Sequence, residues 1–129
     1  MNTCTDTPAR AGSAARRDRG QVAIEYLGFL PLLLLVALLA IQLGLAAYAA
    51  NQAGTGARAG ARMASKSSPG DCARAGKDAM SGWTAGRADL TETGSFSEVT
   101  CTASIEVPSV VPGIDNFGHA VRSATMRRE

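Results

Sequence analysis

Residues 26–50 form a run of twenty-five residues without one formal charge, rich in leucine and alanine. As an α-helix this run would be about 37 Å long, enough for a hydrocarbon core of about 30 Å. It exceeds the apolar region of a typical signal peptide. The expected structure is therefore a membrane-spanning helix. Pro31, near its start, removes one backbone hydrogen bond, and because lipid offers the backbone no alternative to a helix, a kink is expected there and not a break. Gln42 is the lone polar side chain in the middle, expected to hydrogen-bond to a neighbouring helix or to its own backbone.

The remainder of the 129-residue chain is polar and split across both ends. Beyond the apolar run and its polar extension lie only about 60 residues, a module whose core is marginal without a staple. That size excludes an enzyme with a large cleft. The charge belongs to one end: the first 20 residues carry net +2, and the remaining nine cations and nine acids cancel. A nucleic-acid footprint needs cations clustered on one face, so nucleic acid is not an expected partner. Neither a Ser–His–acid arrangement nor metal-ligand spacing is present, and no cofactor, metal or catalytic residue is expected. His119 reads as an exposed loop residue.

The chain divides into three segments: a basic leader over 1–20 without apolar periodicity, a membrane-spanning and extended helix over 21–67, and a small domain over 68–129. Beyond the apolar run, Arg58, Arg62 and Lys66 recur every four residues and so share one helical face, solvated or turned to headgroups. Gly56-x-x-x-Gly60 has small-residue spacing but lies past the apolar core and carries little weight. Ser68-Pro69-Gly70 reads as a turn, and Asp71 as the cap of a helix over 72–83. Residues 86–94 read as loop. Val99, Cys101, Ala103, Ile105 and Val107 alternate with polar residues, the period of a strand, within 95–108. A second strand is expected over 121–126, joined to the first through Pro112-Gly113. Trp83 is expected in the core or as an interface anchor. The fold class is α+β and membrane-anchored: a long N-terminal helix, a short helix and a small antiparallel sheet.

Cys72 and Cys101 both lie after the apolar run. If that part of the chain lies outside the cytoplasm, they can form a disulfide, worth about 3–4 kcal/mol in the chain-entropy view. The alternative is two unlinked thiols buried as small hydrophobes.

The junction Arg19-Gly20-Gln21-Val22-Ala23-Ile24-Glu25-Tyr26 places a carboxylate just inside a helix that then has no charge for twenty-five residues. Burying an ionised carboxylate in lipid costs a few kcal/mol or more, so Glu25 calls for a cationic partner. A free amino terminus of a neighbouring subunit is well suited, since a compact ammonium attracts a carboxylate strongly at low dielectric. Tyr26 beside it also suits a plain interfacial anchor.

Gly20-x-x-x-x-Glu25-Tyr26, after a basic leader and before a long apolar helix, resembles the processing site of type IV pilin-like proteins of the Flp/Tad class. The wider string from Arg19, with Leu30-Pro31-Leu-Leu-Leu-Leu, resembles TadE-like pilus-assembly proteins, the minor pseudopilins of that class. Ala57-Arg58-Ala59-Gly60-Ala61-Arg62 fits the segment after the span in such proteins, and the stretch from Val107-Pro108 to Pro112-Gly113 is more loosely similar to their C-terminal end. The resemblance implies cleavage by a prepilin peptidase between Gly20 and Gln21, which makes Glu25 the fifth residue of the mature chain. It implies that Glu25 sets register against a neighbour's new amino terminus. It also implies a single-pass protein of the cytoplasmic membrane, leader inside and tail outside, whose partners are the bilayer, the peptidase, other pilins or pseudopilins, and the membrane assembly platform. Gln21 departs from the hydrophobic first residue of many pilins. Two other readings stay open: an unprocessed single-pass anchor presenting a small partner-binding domain, and a small secreted protein with an atypical signal peptide.

Overall fold

The computed structural model describes residues 14–66 and 70–129. The leader up to residue 13, with Cys4, lies outside the described residues, as do Ser68 and Pro69 of the expected turn and the side chains of Arg16, Arg17, Arg19 and Gln21. The elements are α1 (Ala14–Lys66), α2 (Asp71–Asp78), α3 (Gly82–Ala85), β1 (Ala88–Gly94), β2 (Glu98–Pro108) and β3 (Asn116–Arg127). This is the expected α+β arrangement, with an antiparallel sheet of order β1-β2-β3. The chain divides into two units, the first ending at Ala37 and the second spanning Leu38–Glu129.

Helix α1 begins at Ala14, inside the segment read as leader, and continues through Pro31. Alanine and arginine favour helix intrinsically, so an apolar face is not needed for the first turns to form on a helix already running. In the second unit α1 buries a stripe of small residues at helical spacing, Ala49, Ala53, Ala57, Ala61 and Ala64. Alanine keeps helix propensity high while letting the sheet and α2 come close. Gly56 and Gly60 bring the contact closer still. A methyl group on Gly60 would lie 2.6 Å from both Cys101 Sγ and Cys72 O, and one on Gly56 3.1 Å from Gly76 O. The small-residue spacing given little weight in the sequence is thus the crossing point of α1 with α2. Arg58, Arg62 and Lys66 lie on the opposite, exposed face as expected.

Strand β2 is the centre of the sheet. Val99, Cys101, Ala103, Ile105 and Val107 are buried on its inner face, the alternation read from the sequence. Outward, the hydroxyls of Thr100 and Thr125 meet across β2 and β3 at 2.7 Å. The second expected strand is present but longer, Asn116–Arg127, so His119 lies on a strand, exposed, and not in a loop. A bulge opposite the Glu106/Pro108 step falls in β3, where Gly118 takes a left-handed φ of 88°.

Two expectations are corrected. Residues 88–94 are not loop but strand β1, paired with β2 from Ala88↔Ile105 to Gly94↔Val99. Its charged and hydroxyl residues disguise it; only Ala88 and Leu90 turn inward and are buried. The expected single helix over 72–83 is two, α2 and α3, broken at residues 79–81. There Ser81 N donates to Gln52 Oε1 of α1 (3.0 Å), a bond a continuous helix would not leave free. Asp71 is the first residue of α2 and not its cap, which is Gly70 at φ 107°. Cys72 in α2 and Cys101 in β2 are joined in a disulfide, Cα to Cα 5.9 Å, so the staple ties the short helix to the central strand.

Candidate processing and assembly segment

Gly20, the residue after which cleavage is expected, is exposed and sits within α1. Glu25 stands about 7.5 Å further along the axis at ~1.5 Å per residue. Its surroundings are apolar and shallow. Ile24, Gly28, Phe29 and Leu32 border a depression on one side of it, and Tyr26, Phe29 and Leu33 another. Among the described residues the ion pairs are Arg74–Asp71 and Arg128–Glu92, so Glu25 has none with them. Tyr26 is 72% exposed and Ile24 71%.

The apolar side chains beyond Glu25 are equally uncovered. Every large hydrophobic residue from Val22 to Val36 is at least half exposed among the described residues. Leaving a leucine or phenylalanine in water forfeits about 1.5–3 kcal/mol each relative to burying it. Such a surface suits lipid or packing against other helices. From Val22 onward α1 is long and apolar enough to cross a membrane.

Residues later in α1 behave differently, and sequence reasoning misplaced one of them. Gln42 is buried, and it bonds neither another helix nor its own. Its Nε2 donates to Pro108 O (3.1 Å) and its Oε1 accepts from Val110 N (2.9 Å), which ties α1 to the β2–β3 connection. One turn and a half beyond, the Tyr48 hydroxyl donates to Ser81 Oγ (3.0 Å) and its ring lies 6.3 Å from that of Trp83. Arg87 stacks over the Trp83 ring, 4.8 Å from its centre. Trp83 is thus a half-exposed anchor of the α2–α3 region and not core. The missed signal was present: Ala49 continues the small-residue stripe of the polar extension back into the uncharged run, and Gln42 stands seven residues earlier, on the same helical face.

The exposed Gly20 and Glu25 segment, the apolar helix and a small tail packed on the later part of that helix make up a helix-plus-tail architecture. Residues 20–62 match the family model described as TadE-like protein, in line with the resemblance read from the sequence. No curated protein and no solved structure matches the chain.

Proposed function

We propose that this chain is a non-enzymatic, pilin-like membrane protein that takes part in assembling a Flp/Tad-type pilus or secretion pseudopilus. A prepilin peptidase removes the leader between Gly20 and Gln21. Glu25, fifth in the mature chain, then pairs with the new amino terminus of an adjacent pilin or pseudopilin, while the apolar surface of α1 passes from lipid to helix-to-helix packing. The tail lies outside the cytoplasmic membrane, where an oxidising compartment maintains Cys72–Cys101. One observation carries the reading: a carboxylate without a described partner stands at the head of an uncovered apolar helix, five places beyond a glycine, inside the TadE-like segment.

A specific observation favours the second reading, an unprocessed anchor. α1 runs unbroken through Gly20, and a peptidase needs the backbone unwound at the bond it cuts. Glycine inside the helix lowers that barrier by about 1 kcal/mol relative to alanine. Mass spectrometry of the membrane-bound protein separates the readings. A chain beginning at Gln21 is expected, with Gly20→Ala retaining the leader and abolishing surface fibres. A wild-type chain with its leader intact establishes the anchor instead. Glu25→Ala is expected to be cleaved normally yet to fail in assembly, and unaltered fibres would remove the role given to this acid.

A further inference from the structure

The β2–β3 connection, residues 109–115, is largely apolar, carries a single ionisable group, Asp115, next to β3, and is held to α1 at the height of Gln42. Residues 107–114 contain no ionisable group, and Val110, Ile114 and, just beyond, Phe117 are exposed. The height is set by hydrogen bonds at both ends of the sheet. At one end Arg128 N donates to Ser97 O and Glu129 N to Ser65 O. At the other, Gln42 holds Pro108 and Val110, and Pro108 pairs with Asn116. From residue 65 back to 42 α1 covers about 34 Å at ~1.5 Å per residue, and β2 covers about 33 Å at ~3.3 Å per residue. The strand therefore runs antiparallel to α1 in step with it. The connection is thus fastened at the level of Gln42, beside the part of the uncharged run where Leu39, Ile41 and Leu43 are exposed.

We propose that this connection is a second membrane-contacting element, seated in the interfacial zone of a phospholipid bilayer beside α1. The proposal rests on the reading of α1 as a membrane anchor. Two independent features select lipid as the occupant. The first is the backbone. Within the loop Val110 N is bonded to Gln42, Val111 N to Ser109 Oγ (3.2 Å) and Ile114 N to Val111 O (3.3 Å), while Pro112 has no N–H. These bonds engage three of the loop's N–H groups, which lowers the cost of bringing it towards lipid. The second is the order of side chains along α1. About 9 Å past Gln42, at ~1.5 Å per residue, stands the cluster of Tyr48, Trp83 and Arg87. Tyrosine, tryptophan and a cation suit the headgroup level of a bilayer whose hydrocarbon edge lies near residue 42. Asp115, the one ionisable group of the connection, directly precedes β3, and the next ionisable groups on the sheet, Glu106 and His119, are paired across β2 and β3.

Single-tryptophan variants of the full chain, each made with Trp83→Phe and reconstituted in phosphatidylcholine vesicles, test this. The probe is phospholipid brominated near the top of the acyl chain. Ile114→Trp is expected to be quenched several-fold more than Phe96→Trp, whose site at the β1–β2 turn is fully exposed at the opposite end of the sheet. Leu33→Trp reports on the anchor. If Leu33→Trp is quenched while Ile114→Trp matches Phe96→Trp, the loop proposal falls and the anchor stands. If none is quenched, the anchor reading falls and takes the proposal with it. A blue-shifted but unquenched Ile114→Trp means that protein, such as a second copy, covers the loop, and it overturns the proposal.

Discussion

At the scale of single residues, Gln42 does what its neighbours cannot. Its amide satisfies the carbonyl of Pro108 at the end of β2 and the N–H of Val110 in the connection that follows. Replacing it with leucine keeps the volume and strands both backbone groups beside an apolar helix. Gln42→Leu is therefore expected to lower tail stability by about 1–3 kcal/mol, measurable by denaturant unfolding of the full chain in mild detergent. Reading it as a helix-to-helix glue residue identified the need for a partner but not the partner. Sequence spacing places residues on a helical face; it does not say that the tail folds back far enough to reach position 42.

Between elements, α1 and α2 approach so closely that two glycines become obligatory neighbours. Gly60 lies under the disulfide and the backbone of Cys72, neither of which can move aside. Gly60→Ala should cost about 1–3 kcal/mol by overpacking. Gly54→Ala, where a methyl group meets nothing within 4 Å, should instead stabilise by up to about 1 kcal/mol through helix propensity. Thermal unfolding of the two variants side by side checks the sign reversal. The elements themselves were unevenly legible. β2 was readable because its inner face is a clean alternation ending in Ile105 and Val107. β1 was not, because its inward residues are few and its Glu92 is held by Gly70 N (3.0 Å) and Arg128, contacts that no local pattern announces. The start of α1 was missed for a related reason: helix propensity without periodicity leaves no face to detect.

In the molecule as a whole, a small core is compensated by a cross-link. The buried set consists largely of alanines with Val99, Leu90, Ile105 and Val107, a modest apolar payload for a tail of this size. Removing the Cys72–Cys101 bond by Cys72→Ala with Cys101→Ala is expected to cost about 2–5 kcal/mol. Thiol labelling under denaturing conditions, before and after reduction, should find both cysteines blocked until reductant is added. The long helix was legible at full strength, since the uncharged run carries it locally. The long-range ties of Ser65, Gln42 and Gln52 were not, since each joins residues far apart in sequence.

Because α1 supplies one wall of the tail's interior, no cut placed after the uncharged run yields a water-soluble fragment with its packing intact. An excised tail fragment must keep residues 42–66, and with them Leu43, Leu45 and Tyr48. Solubility then has to come from replacing outward-facing side chains, such as Leu43, rather than from shortening the chain.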